Sequence, residues 1–214
     1  MQYGGYSYPV VEIGCQCWFA ENLRTTTYAN GELIPSAVTY EEWESATGAA
    51  TAVYGDGDSL CFHGAEFDAC VPALSLAEYG RLYNWYAVDD SQGLCPTGWH
   101  VPTRQEWIEL ENFITCQGFE GTEGTALKST SGWYNDGNGT DDFGFSALPG
   151  GIRDNDITDF INAGAAGYWW SANEYSDDNS EAWGRGLVFE WTYTGEDVFW
   201  KDEGMSVRCL KDSE

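Results

Sequence analysis

An α+β fold, stapled by disulfides and rich in loops, is what this 214-residue sequence predicts. Three observations carry that expectation. Ser75/Glu78 and Thr103/Glu106 each have the S/T-x-x-E form of a capping box ahead of apolar residues at helical spacing. From Phe143 onward the chain turns to short β-forming runs separated by glycine, and seven cysteines are spread along its length. After Ser75 the periodic residues are Leu76, Tyr79, Leu82, Tyr83 and Tyr86; after Thr103 they are Trp107, Leu110, Phe113 and Ile114. Cys95-Pro96-Thr97-Gly98-Trp99-His100-Val101-Pro102 lies between and cannot be helical, because two prolines and a glycine break it. The expected core is two main helices, joined by a cysteine-bearing turn and packed on short antiparallel β-sheets with long loops.

The other elements follow in order. Residues 3–13 alternate loosely and read as a strand, with Val10, Val11 and Ile13 apolar. The leading residues 1–8, with Tyr3, Tyr6 and Tyr8, are either a frayed terminus or an extension that adds to a neighbouring subunit's sheet edge. Residues 18–23 form a buried turn in which Glu21 and Asn22 bond to backbone, and Asn30-Gly31 marks a hairpin over residues 28–35. Thr39 with Glu42 caps a short helix over residues 39–47, and residues 54–59 make a polar loop. Cys61 and Cys70 bracket a short excursion and pair with each other. Residues 118–124 link onward and residues 126–129 add a helical turn. Residues 131–142 are the most acidic and flexible loop. Strands then fall at residues 143–148, 168–171, 182–189, 191–199 and 205–210, as in a meander.

Charge narrows the function. Against 35 Asp+Glu stand only 9 Lys+Arg, a net charge of −26. Such a surface repels nucleic acid and anionic membranes and attracts divalent cations or a basic partner. No apolar run is long enough to span a bilayer, so membrane insertion is not expected. The cysteines point to an oxidising compartment. A zinc site wants C-x-x-C pairs, whereas Cys15-Gln16-Cys17 is too tight and only His63 and His100 are available. The first residues, MQYGGYSYPVVEI, lack a basic start and an apolar run, so export is expected to rest on residues outside this sequence, a removed leader or a longer polypeptide.

Several blocks taken together resemble a known family. They are Val11-Glu12-Ile13-Gly14 running into Cys17-Trp18-Phe19-Ala20-Glu21-Asn22-Leu23, then YGRLYNWYAV and GLCPTGWHVPT, then GTDDFGFSALPGG from Gly139 to Gly151, Trp169-Trp170-Ser171-Ala172, and Ser206-Val207-Arg208-Cys209-Leu210. The chain resembles the Fibrobacter succinogenes major paralogous domain, a family of bacterial extracellular modules, over nearly its whole length. The resemblance implies one domain over residues 1–214, a C-type-lectin-like α+β fold related to that of formylglycine-generating enzymes, and residence outside a bacterium or at its surface. It brings no established chemistry. It also implies a long-range bridge from Cys95 to Cys209, worth about 4–5 kcal/mol in the chain-entropy model. Cys15 and Cys116 fall where the family does not lead one to expect cysteine, which suggests that they pair. Cys17 is then a buried thiol or a bridge to another chain.

Formylglycine-generating enzymes need a reactive cysteine pair to hold copper, but Cys209 is committed to Cys95 and their R-G-G-S-W block is missing. No G-x-S-x-G elbow is present either, so no enzymatic activity is expected. Calcium is the candidate cofactor, through Asp136, Asn138, Asp141 and Asp142, since oxygen ligands on a pliable loop suit it. The competing reading is a solvated turn, and Asp56 and Asp58 are weaker candidates. Asn138-Gly139-Thr140 is a glycosylation sequon. Trp169, Trp170, Trp183, Trp191 and Trp200 could stack sugars or a partner, although most large rings belong in the core of a loop-rich fold. The expectation is a non-enzymatic extracellular structural or adhesive module, including the subunit of a self-assembling surface fibre, with further copies, other surface proteins or glycans as partners. A carbohydrate-binding module is the alternative.

Overall fold

The computed structural model describes residues 1–37, 39–57, 60–155, 160–177 and 179–213. A small hairpin comes first, β1 (Gln2–Tyr3) and β2 (Tyr6–Ser7), turned on Gly4-Gly5 at positive φ, and a second follows, β3 (Val10–Ile13) with β4 (Gln16–Phe19). Next come α1 (Tyr40–Glu44), β5 (Thr51–Ala52), β6 (Cys61–His63) and α2 (Pro72–Glu78). They are followed by β7 (Leu82–Tyr83), α3 (Trp85–Val88), β8 (Trp99–His100), α4 (Arg104–Ile114) and α5 (Glu123–Leu127). The last part is β: β9 (Gly150–Arg153), β10 (Phe160–Ala163), β11 (Ala166–Glu174), β12 (Glu181–Val188), β13 (Gly195–Trp200) and β14 (Leu210–Lys211).

Two sheets hold most of these strands, while β1 pairs with β2 and β5 with β7. The larger runs β13-β12-β11-β9-β10-β6, mostly antiparallel, with parallel contacts at β11/β9 and β10/β6. The smaller runs β3-β4-β14-β8 and places the first and last parts of the chain side by side. The fold is thus mixed α+β with sheets predominant, as expected.

Only one of the two expected main helices forms as a long element. Thr103 caps α4 with both halves of its box made, and Trp107, Leu110 and Ile114 face inward onto Ile13, Trp18, Phe145 and Trp169. The run after Ser75 behaves differently. Pro72 starts α2 a turn earlier, since proline suits a first turn that needs no amide. Ser75 is therefore interior, and its hydroxyl donates to Ala69 O at 2.7 Å. Gly80, at φ +82°, ends the segment where a Cβ would lie 2.9 Å from Leu23 O. Leu82 and Tyr83 are consequently extended, and Asn84 starts the short α3 by accepting from the Ala87 amide. The strand expected over residues 3–13 is likewise split by Gly4-Gly5, and residues 143–148 make only the Lys128–Ala147 bridge.

Bridges join Cys61 to Cys70 and Cys95 to Cys209. The expected Cys15–Cys116 bridge is not made: Cys15 and Cys116 are free and exposed, and Cys17 is free and half-buried. Cys15 sits at the β3–β4 turn and Cys116 in the π-helical turn after α4. The Phe113 ring packs against Gly14, where a Cβ would come within 2.9 Å of it, so the ring fills the contact between turn and helix end.

Replacing Cys95 and Cys209 together by serine should lower unfolding free energy by about 4 kcal/mol, read as a shifted denaturant midpoint. A second outcome concerns pH. Burial, then repulsion from Asp154, pushes Glu203 from an ordinary carboxylate's 4.5 to about 8. A raised folded-state value means stability is full below pH 4.5 and is lost as pH rises through 8. Glu203→Gln should therefore add roughly 1–2 kcal/mol at pH 8.5 and almost nothing at pH 4, by denaturation at both pH values.

Candidate functional site

Four of the sequence blocks meet at one buried amide. Asn22 Nδ2 donates to Tyr79 O at 2.9 Å and to Ser206 Oγ at 3.2 Å. Its Oδ1 accepts from Trp169 Nε1 at 2.9 Å and from Arg208 Nε at 3.0 Å. Arg208 is fully buried, and neutral acceptors meet its guanidinium. Its other nitrogens donate to Phe145 O and Ser146 O, and its guanidinium lies 4.1 Å from the Phe145 ring centroid. Loss of water lowers its pKa to about 9, partly offset by Asp141 and Glu21. The arrangement spends every hydrogen-bonding atom on the fold and leaves none directed at a ligand.

The five candidate tryptophans separate. Trp169 and Trp170 are 1% and 0% exposed, with Nε1 donating to Asn22 and to Tyr83 O, so neither can stack a ligand. Position decides this: β11 is an inner strand, covered by α4 on one face and α3 on the other. Trp183 is half-buried under the Arg104 guanidinium, 4.0 Å from its centroid, and edge-on to Tyr175. Arg104 is held there by a two-bond pair with Glu196, which also meets buried Arg185 at 2.7 Å. Trp191 and Trp200 are open, at 36% and 46%.

Trp191 has a companion. Its ring stacks on Tyr193 at 5.1 Å and 12°, and Tyr193 is 46% exposed. Both stand on the β12–β13 connection, which is anchored from below. Lys128, 2% exposed, donates through Nζ to the carbonyls of Val188, Phe189 and Trp191 and lies over the Trp133 ring. Burial lowers the Lys128 pKa. Thr125 N donates to Thr192 O, and a Cβ on Gly124 would come within 2.4 Å of Tyr193 O, so the connection is pressed onto α5. This gives two exposed rings on a fixed base. No spacing rule reveals it, because Lys128 has no sequence motif and acts through carbonyls some sixty residues away.

The acidic loop does not gather its oxygens. Asp141 accepts from the Ser146 amide and hydroxyl, Asp142 from the Thr140 hydroxyl, and Asn138 Oδ1 from the Trp133 amide at 3.0 Å, while Asp136 is exposed. The acceptors of Asn138, Asp141 and Asp142 serve the local turn, and among the described residues no cluster of ligating groups includes the four. Asn138 remains exposed as a sequon. Asp56 Oδ2 accepts from the Val53 amide, and Asp58 lies outside the described residues.

The N-terminal tyrosines are turned inward. Tyr3 donates to Thr27 O and Leu94 O, Tyr8 is 1% exposed and stacked on Phe19, and Tyr6 packs against the same cluster. The Met1 ammonium donates to Tyr8 O at 2.7 Å. The segment thus closes on its own domain, because β1 already has β2 as its partner. A cleft of about 570 Å³ lies beside it and is lined by Val10, Glu21, Arg24, Glu78, Ser146 and Leu148. Arg24 there is paired with Glu21 and donates to Leu76 O and Ala77 O.

Residues 11–211 match the family model described as the Fibrobacter succinogenes major domain. No curated protein and no solved structure matches the chain. Among the described residues no helix is long and apolar enough to cross a membrane.

Asn22→Ala should cost about 3 kcal/mol, since it leaves a buried guanidinium and an indole N–H without their acceptor. Thermal unfolding against Asn22→Asp, which keeps an acceptor for both donors, checks it: the Asp variant should lose less.

Proposed function

The chain belongs to the Fibrobacter succinogenes major domain family, and from that premise we propose that it is a non-enzymatic extracellular module of a bacterial surface that works by adhesive contact. The observation that carries this is the Trp191–Tyr193 pair, exposed, stacked and held on a base that Lys128 fixes through three carbonyls. Two rings already ordered before a ligand arrives lose little conformational entropy on binding. Flat faces of this kind suit the apolar face of a sugar ring or an aromatic partner. The two disulfides support residence outside the cytoplasm.

We also read the architecture as C-type-lectin-like. What supports this is the sheet that joins β3 and β4 to β14, with Cys95–Cys209 closing the domain beside it. The carbohydrate-binding form of adhesion is favoured over a self-assembling fibre. The segment expected to reach a neighbouring subunit is docked on its own core, and a net charge of −26 opposes close approach of further copies.

Glycan-array binding by the full chain tests the reading. Trp191→Ala and Tyr193→Ala should each weaken retained glycans tenfold or more, while Trp170→Phe, at a buried ring, should leave affinity unchanged. Silence across the array together with filaments in negative-stain images would replace this reading with the assembly one.

A further inference from the structure

Residues 61–70 place two pairs of metal-ligating side chains face to face: Cys61 with His63, and Asp68 with Cys70. Cys61 and His63 are two apart on β6, so their side chains share a face of the strand. The chain then turns back, and Asp68 Oδ1 accepts from the Cys70 amide at 3.1 Å. One ligand atom from each of His63, Asp68 and Cys70 lies within 4.8 Å of the others, with His63 Nε2 3.5 Å from Asp68 Oδ1. Cys61 lies outside that group of three but is bonded to Cys70, which holds its sulfur next to it.

We propose that this cluster is a redox-gated metal site: when the Cys61–Cys70 bridge is reduced, Cys61, His63, Asp68 and Cys70 take one thiophilic divalent cation of the zinc class. Two thiolates, one imidazole and one carboxylate are four ligands of the types zinc accepts, and four is the number its tetrahedral structural sites use. Thiolate sulfurs on such an ion sit about 3.8 Å apart, a spacing that Cα atoms 5.8 Å apart reach by side-chain rotation. The chemistry balances with a dithiol reductant. It supplies two electrons and two protons, breaks the S–S bond to two thiols and itself becomes a disulfide. The incoming cation then displaces the two thiol protons to solvent, and neutral His63 and ionised Asp68 complete the shell. The same short loop is closed in either state, by sulfur when oxidised and by metal when reduced. The absence of C-x-x-C hides this site in the sequence, because the ligands are spaced C-x-H and D-x-C.

Cobalt(II) is the probe, used on the full chain carrying Cys15→Ser, Cys17→Ser and Cys116→Ser so that these free thiols cannot contribute. Each variant is first confirmed to be folded with every bridge its remaining cysteines can form. After mild reduction, thiol counting should give two thiols, and one cobalt per chain should bind with sulfur-to-cobalt charge-transfer absorption. Zinc should displace it, and the oxidised chain should show no such band. His63→Ala and Asp68→Ala, which retain both cysteines, should each weaken cobalt tenfold or more. The proposal is overturned if the reduced chain binds no cobalt, if the band survives Cys61→Ser/Cys70→Ser, or if neither His63→Ala nor Asp68→Ala changes affinity.

Discussion

A buried guanidinium met by neutral acceptors holds the centre of this domain. Arg208 is buried among the Asn22 amide oxygen, two backbone carbonyls and the Phe145 ring. Carbonyl dipoles and a ring face can offset the cost of a buried cation only while they remain in place. Those partners come from two distant parts of the chain, the β4 exit and the segment leading to β9, and Asn22 adds the inner strand β11 through Trp169. The short elements of this fold could not hold their relative positions by regular hydrogen bonding alone. The Asn22–Arg208 pair supplies a common reference to which all of them are tied.

The same economy extends to the other cations. Five of the nine basic residues (Lys128, Arg153, Arg185, Lys201 and Arg208) are buried. Arg153 reaches the carbonyls of Ala37 and Thr39 from between the Trp43 and Phe160 rings, and Lys201 pairs with Glu174 over Trp85. Basic residues therefore act inside as multi-armed donors for a loop-rich interior, and the outer surface is more acidic than the net charge alone suggests. Against such a background the uncharged Trp191–Tyr193 face is a local exception.

Much of this was legible in the sequence where the signal was local. The Thr39 and Thr103 capping boxes, the α4 periodicity and the 61–70 excursion each depend on residues within one or two turns of each other. The helix expected from Ser75 fails because Gly80 must pass against Leu23 O, a contact with a residue far away in sequence. The tryptophan platform was half legible. Composition supplied the rings, but only strand order decides that Trp169 and Trp170 lie in the interior while Trp191 stands on a connection. The acidic loop is ambiguous for a related reason: Asp and Asn serve as turn formers and as ligands with the same spacing, and here Asn138 and Asp141 accept from the turn. An odd cysteine count required at least one free thiol, but not which one.

The placement of the Cys95–Cys209 bridge has a mechanical consequence. β3 and β4 lie beside β14 in one sheet, so a pull on the two ends of the chain loads that sheet first, and from the C-terminal end the tension reaches Cys209 almost at once. From Cys209 it crosses directly to Cys95, and the residues between them, a sequence separation of 114 that includes α4 and all of β9 to β13, carry none of it. Under strain only the part ahead of Cys95 can pay out, while the aromatic connection keeps its shape. A chain built this way can lengthen under load, like a shock absorber, while the domain behind the bridge keeps its shape.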